Sequence, residues 1–235
     1  MLAIVELHTF NMQDAIGEGI CRITEGTIKS LYSANTGSTK NLGNVSGNAT
    51  STTFNYDNID HYEVDTGKTA ISYRGYENLW GNMWDYLGDL LLQNQPSNRY
   101  LPYICDNFNY SNIISNDYHR INFNLPPLVG WISGFAYDEN TDWIFLPIEF
   151  SNNANSLIPV GDYFVRSYIN SGTQACIHGG SWFGELNDGL FYYAFNRKAT
   201  ETGEKHIGAR LLFVPSTKNS IYTNNITKWK AKIGG

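Results

Sequence analysis

The segment from Gly179 to Phe213 places the strongest constraint on how this chain can fold. It opens with Gly179–Trp182, continues into the apolar run Leu190–Phe195 and closes on Ile207–Phe213. Between Arg197 and Lys205 there is almost no apolar side chain. Two apolar strands therefore bracket a polar loop. A rigid frame that presents loops to solvent is the usual way in which binding surfaces are built.

Composition favours one β-rich domain with a polar surface. The 235 residues include 22 Gly and 16 Tyr, and only 16% are charged. Surfaces that recognise ligands are rich in Tyr, Asn, Gly and Ser, although the turns of any β protein need the same small residues. A chain of this length can bury a sizeable core. With no tandem repeat in view, we expect one domain over residues 1–214 and a C-terminal extension over 215–235.

Charge and hydropathy bear on several classes of partner. A net charge of −6 argues against nucleic acid, which requires clustered Lys and Arg. The basic residues Lys228, Lys230 and Lys232 lie together near the end of the chain, and we interpret them as a solvated tail. No apolar run is long enough to cross a bilayer, so we expect no membrane insertion. The start, Leu2–His8, is too short and too polar for a signal peptide.

Local patterns predict two short helices and several strands. Asn11 could cap the first helix. The second is predicted from Glu77 to Gly88, because Trp80, Met83, Trp84 and Leu87 recur at helical spacing. We expect these tryptophans, together with Trp143 and Trp182, to be buried. The runs Trp143–Leu146 (ending at Pro147), Tyr163–Tyr168 and Ala175–His178 predict short strands of a twisted antiparallel sheet.

Three sequence blocks resemble a known family. They are Tyr73–Trp84, Gly179–Trp182 and Ile207–Arg210. Their order is similar to that in the C-type-lectin-like fold, in its formylglycine-generating-enzyme/sulfatase-modifying-factor branch. The resemblance implies an α+β fold of C-type-lectin type: a twisted antiparallel sheet with two short helices and long loops.

Within that branch, the chain is similar to ligand-binding members. These are variable proteins diversified by retroelements, and tail-fibre or receptor-binding proteins of bacteriophages. The resemblance implies a receptor- or ligand-binding module of a phage fibre or related adhesin, located on the virion or at a cell surface. Its partners would be a bacterial surface protein or glycan and other fibre subunits, most plausibly in a homotrimer.

Two alternatives stay open beside this expectation. One is a structural virion protein whose loops make only subunit contacts. The other is a degenerate enzyme of the formylglycine-generating type. The enzymes of that branch oxidise their substrate with two cysteines, but no Cys occurs here between Trp182 and His206. We therefore expect no enzyme activity.

The same segment supplies the predicted binding residues. They lie in the loop after Trp182, on the strand that begins near Tyr193, and in the turn that follows this strand. We expect ligand contacts from Trp182, Phe183, Glu185, Leu186, Asn187, Tyr193, Phe195, Arg197, Lys198 and Glu201.

No cofactor or metal is predicted. The cysteines Cys21, Cys105 and Cys176 suggest buried apolar residues rather than a disulfide framework. Asp138–Asp142 places oxygen side chains at alternate positions, as a calcium loop would, but a hairpin turn rich in Asp and Asn explains it better. Cys176 and His178 would share one side of a strand, yet no second pair at ligand spacing accompanies them.

Overall fold

The fold is known from a computed structural model, which describes most of the region from Gly37 to Ala209. The described residues are 37–45, 47–49, 53–56, 59–62, 70–73, 75–95, 99–152, 162–166, 172–182, 187–201, 204 and 206–209. The predicted first helix near Asn11, Cys21 and the predicted extension 215–235 lie outside them.

The main structural element is one large sheet. Its strands are β6 (Trp84–Gln95), β7 (Arg99–Ile104), β8 (His119–Arg120), β9 (Gly130–Asp138), β10 (Thr141–Ser151), β11 (Tyr163–Val165), β12 (Gly172–His178), β13 (Tyr193–Lys198) and β14 (Ile207–Gly208). The order across the sheet is β10-β9-β11-β13-β12-β6-β7-β8, with β14 beside the start of β6. The pairs β11–β13 and β14–β6 are parallel and the others antiparallel. The sheet curls into a half-barrel.

Two smaller sheets precede it in the chain. One joins β1 (Gly47–Ala49), β4 (Ala70–Tyr73) and β5 (Tyr76–Glu77), and the other pairs β2 (Thr53–Tyr56) with β3 (Ile59–Tyr62). A 3-10 turn covers Lys40–Leu42. The backbone N–H groups of Gly37 and Thr39, just before this turn, each donate a hydrogen bond to the Glu77 carboxylate at 2.7 Å.

The expected α+β class is wrong. The protein is mostly β-sheet, with 53% strand and 3% helix, and its described part contains no helix of seven residues or more. The residues Trp84 and Leu87, predicted to be helical, lie in strand β6. Before them, Asn78 has a φ of 50° and Gly81 a φ of 73°, values that interrupt a right-handed helix. The apparent helical spacing arises because a loop and a strand adjoin each other in the sequence.

The strand that was predicted to end at Pro147 instead runs on to Ser151. This strand, β10, is the edge strand of the large sheet. Proline cannot donate a ladder hydrogen bond, and edge strands are therefore the place where a sheet tolerates it. The predicted strands over 163–168 and 175–178 correspond to β11 and β12, although β11 ends earlier, at Val165.

The three sequence blocks meet in space. Gly81 N–H donates to the Gly179 carbonyl at 2.7 Å, and Trp182 N–H donates to the Asn82 carbonyl at 2.9 Å. In the third block, Ile207 pairs with Trp84 as β14 joins β6. The predicted burial of Trp80, Trp84 and Trp182 is confirmed. The side chain of Trp143 lies outside the described part.

The large sheet buries apolar clusters on both faces. Leu90 and Leu92 belong to the main cluster with Phe164 and Phe195, whereas Leu91 belongs to a second one with Tyr118. Consecutive strand residues point to opposite faces. The second face, around Leu91, is where the candidate site is found.

Candidate functional site

An open groove lies over β6 and β12 and has a volume of about 340 Å³. Four parts of the chain form it: β6, the loop between β7 and β8, β12, and the turn after β13. Its size falls within the range of small-ligand sites. We call it the β6–β12 groove; it is lined by Tyr86, Leu87, Gly88, Leu91, Tyr110, Ser111, Asn112, Ala175, Ala199 and Glu201.

A bulge in β6 shapes the floor of the groove. Leu87 pairs with Cys176 and Leu91 pairs with Ala175, so the intervening residues of β6 have no partner on β12. Bulges of this kind bend a strand and redirect its side chains. Gly88 lies in the bulge, and a Cβ there would meet the ring of Tyr110 at 3.5 Å. The ring of Tyr110 thus lies close over the backbone of Gly88.

One wall of the groove is fixed by Tyr118. Its hydroxyl donates to the Gly88 carbonyl at 2.6 Å, and it accepts a hydrogen bond from Ser111 N–H at 3.0 Å. Tyr118 is itself buried, in the cluster with Leu91 and Ala175. The loop that carries Tyr110, Ser111 and Asn112 is therefore tied to the floor, and this wall is formed before any ligand arrives.

A charged network closes one end of the groove. Arg197 Nη1 lies 2.8 Å from Glu204 Oε1 and 4.0 Å from Glu201 Oε2. His206 Nε2 lies 2.9 Å from Glu204 Oε2. The ring of His206 in turn meets the Trp182 ring edge-on, with centroids 6.1 Å apart. The turn after β13 is thus connected to the Gly179–Trp182 block.

The hydroxyl of Tyr86 is the polar group that most requires explanation. Its oxygen is buried and has no hydrogen-bond partner among the residues that the structure describes. Burial raises the pKa of Tyr86, and the negative charge of Glu201 raises it further. A buried polar group without a partner costs free energy of about 1–3 kcal/mol.

The predicted binding residues divide into four groups. Arg197 and Glu201 lie at the charged end of the groove, with Glu201 in its lining. Asn187 and Lys198 are exposed elsewhere, and Trp182, Tyr193 and Phe195 are buried, the latter two with 3% and 0% of their surface exposed. Phe183, Glu185 and Leu186 lie outside the described residues.

Tyr193 and Phe195 are buried because β13 is a central strand. It lies between β11 and β12, so both of its faces pack against apolar clusters. Tyr193 and Phe195 join the main cluster, while Tyr192 and Ala194 join a cluster with Trp84. Both faces of this strand are therefore covered. Solvent reaches the strand only at its end, from Asn196 to Lys198.

The two aromatic residues that line the groove, Tyr86 and Tyr110, were not among the predicted binding residues. Tyr86 had been placed within the predicted helix, and Tyr110 lies far along the chain from the segment 179–213. One pattern could have indicated Tyr110: its surroundings, Asn107–Asn112, are rich in Asn, Tyr and Ser. The composition that suggested a binding surface for the whole chain is concentrated there.

The other motifs have structural explanations. The predicted hairpin turn between β9 and β10 is confirmed, and the Asp138 carboxylate accepts hydrogen bonds from Asn140 N–H at 2.9 Å and Asn122 N–H at 2.6 Å. Cys105 and Cys176 are free and buried, and burial raises the pKa of the Cys176 thiol well above its usual value. A thiol with a raised pKa is a poor nucleophile at neutral pH.

Neither a metal-binding cluster nor a membrane-spanning helix is found in the described part of the protein. In the described ranges, no group of three or more His, Cys, Asp or Glu side chains is placed to hold a metal ion. Nor does any helix there have the length and apolar character needed to cross a membrane.

Comparisons with known proteins do not assign this chain to a family. No family model, no curated protein and no solved structure matches the chain. The resemblance to the lectin-like family thus depends on the three short sequence blocks alone. The function must be argued from the groove.

Proposed function

We propose that this protein is a ligand-binding module that uses the β6–β12 groove to attach a bacteriophage fibre, or a related adhesin, to a bacterial surface. The observation that carries the proposal is the preformed wall: Tyr118 holds the Tyr110 loop against the bulge of β6. A site that is ordered in advance loses less conformational entropy when its ligand binds.

The lining of the groove supports recognition. Tyr86 and Tyr110 supply aromatic surface, and Ser111, Asn112 and Glu201 supply polar groups. Aromatic residues with a few polar groups are the usual composition of ligand sites. Tyr110 remains 48% exposed although its hydroxyphenyl ring is large. It is therefore accessible as a contact.

The biological setting of the proposal comes from the sequence. The resemblance carried by the three sequence blocks implies a virion or cell-surface location, with a bacterial surface molecule as partner and other fibre subunits alongside. A homotrimer would carry three copies of the groove, and linked weak sites bind more strongly than single ones. This assignment does not require the lectin-like fold, which the structure contradicts.

The experiment is cell binding by fluorescently labelled protein. Wild type is applied to a panel of bacterial species and the bound fluorescence is measured by flow cytometry. Tyr110→Ala removes the exposed aromatic wall of the groove. Tyr137→Ala is the matched control, because Tyr137 is 57% exposed on β9 and three strands away from β12.

We expect wild type and Tyr137→Ala to bind the same bacteria, and Tyr110→Ala to bind them much less. Equal binding by both variants would place the site elsewhere. If wild type binds no bacterium but self-associates, the structural virion protein becomes the better assignment.

A further inference from the structure

Small residues form part of the floor of the β6–β12 groove. Gly88, Ala175 and Ala199 line it, with the rings of Tyr86 and Tyr110 beside them. Small side chains next to an aromatic ring leave room for a ligand ring whose apolar C–H groups pack on the aromatic face. Aromatic faces gain dispersion energy from such close packing.

Hydrogen-bonding groups surround this floor. Ser111 and Asn112 offer both donors and acceptors, and Glu201 offers a carboxylate. Hydroxyl, amide and carboxylate groups together can serve a ligand whose rim carries many hydroxyls. A purely apolar ligand would leave these groups unsatisfied.

The charged end of the groove holds one cation and two carboxylates. Arg197 is paired with Glu201 and Glu204, and the described lining contains no Lys or Arg. An anionic ligand would therefore meet excess negative charge. A cationic ligand would have to compete with Arg197 for the two carboxylates.

The backbone of the groove is already hydrogen-bonded. β6 pairs with β12, β7 and β14, and β12 pairs with β6 and β13. A peptide strand binds a sheet by adding to a free edge, and these central strands offer no such edge. A peptide in the groove would have to leave its own backbone groups without sheet partners.

From these observations we infer that the ligand of the β6–β12 groove is a neutral carbohydrate chain, with one sugar ring packed on Tyr110 and its hydroxyls bonded to the polar rim. The inference rests on the proposed function and specifies its ligand. A volume of about 340 Å³ leaves room for a short stretch of such a chain, and the open groove lets the chain continue at the end away from the charged network.

The test treats bacteria that wild type binds with periodate, which cleaves the vicinal diols of sugars, or with a broad protease. In parallel, neutral polysaccharide purified from the same bacteria is titrated calorimetrically into wild type, Tyr110→Phe and Tyr110→Ala. Phe keeps the ring. Thermal melting of each variant checks that it is folded.

We expect binding to be lost after periodate, whatever the protease does. We also expect Tyr110→Ala to bind the polysaccharide roughly tenfold more weakly than wild type, and Tyr110→Phe to stay within about threefold. Binding that survives periodate, or polysaccharide affinity unchanged in Tyr110→Ala, overturns the inference.

The two proposals fail in different ways. If binding depends on Tyr110 but is lost only after protease, the carbohydrate inference falls and the binding module stands. If wild type binds bacteria equally well without the Tyr110 ring, the groove is not the site, and the assignment of function to the groove falls with it.

Discussion

The hydroxyl of Tyr118 lies 2.6 Å from the carbonyl oxygen of Gly88 and donates a hydrogen bond to it. This contact joins the loop before β8 to the bulge of β6. Because Ser111 N–H also bonds to Tyr118, a single hydroxyl holds the floor and the wall of the β6–β12 groove together.

Replacing this hydroxyl should therefore affect both stability and binding. We expect Tyr118→Phe to lower the free energy of unfolding by about 1–2 kcal/mol, since the Ser111 N–H and the Gly88 carbonyl both lose a partner. Urea unfolding measures the change. Tyr103→Phe is the control, because Tyr103 makes a weaker bond of 3.3 Å to Gln93. An equal loss in both variants would show that Tyr118 has no special role.

The Gly179–Trp182 block requires glycine for a steric reason. Gly180 has a φ of 78°, and a Cβ there would lie 2.2 Å from the Cβ of Asp188. Gly172 has a φ of 99° but nothing within 4 Å, which makes it a matched control for backbone strain. We expect Gly172→Ala to cost about 1–2 kcal/mol and Gly180→Ala at least about 2 kcal/mol more. Similar unfolding curves for the two variants would contradict the close approach of Asp188.

Trp84 belongs to the cluster of Tyr192 and Ala194 and also contacts His206. It stacks near Tyr192 with ring centroids 6.0 Å apart and meets His206 edge-on at 5.0 Å. We expect Trp84→Ala to cost about 3–5 kcal/mol of unfolding free energy. Tyr76→Ala, at a position that is 64% exposed, should change it by less than about 0.5 kcal/mol. A melting temperature of Trp84→Ala equal to that of wild type would rule out this packing.

Asp162 should make stability depend on pH. Burial raises its pKa from 3.8 to about 7, although it accepts a hydrogen bond from Phe191 N–H. Between these pKa values the folded protein holds a proton that the unfolded chain has lost. The unfolding free energy should therefore fall as pH rises through this range, by up to about 1.4 kcal/mol per pH unit, and level off above pH 7.

Asp162→Asn removes this titration and keeps an oxygen for the Phe191 N–H. His178 acts in the opposite direction, because burial lowers its pKa from 6.5 to about 4. Between these pKa values the unfolded chain holds a proton that the folded protein has lost. The contribution of His178 to the unfolding free energy therefore rises with pH in this range. The diagnostic quantity is thus the difference between wild type and Asp162→Asn, measured by urea unfolding at pH 5, 6, 7 and 8. A difference that does not change with pH would contradict the prediction.

Part of the fold could be predicted from local sequence, because strands and turns leave local patterns. Ala175–His178 and the turn at Asp138 were found in this way. The burial of Trp80 was also predicted correctly, but from a helical stripe that the structure does not contain. The predicted helix failed because the residues from Trp80 to Leu87 combine a loop and the start of a strand. The φ of 73° at Gly81 that separates them is imposed by its tertiary contact with Gly179.

The groove could be predicted only at its charged end. Arg197 lies near the end of β13 and Glu201 in the turn that follows, so local sequence brought them together. Tyr86 and Tyr110 line the same groove because β7 folds back on β6 and because β6 has a bulge. Neither feature can be predicted from the spacing of residues in the sequence. Tyr193 and Phe195 show the converse: the sequence indicated a binding strand, but its central place in the sheet buries it.

The most direct test of the account is the affinity of Tyr110→Ala for a bacterium that wild type binds, measured beside Tyr137→Ala. Both variants remove one exposed tyrosine ring, but only Tyr110 lines the β6–β12 groove. The account predicts that Tyr137→Ala binds as wild type does, and that Tyr110→Ala binds about tenfold more weakly at an unchanged melting temperature. Equal affinity of the two variants would contradict the claim that this groove is the binding site.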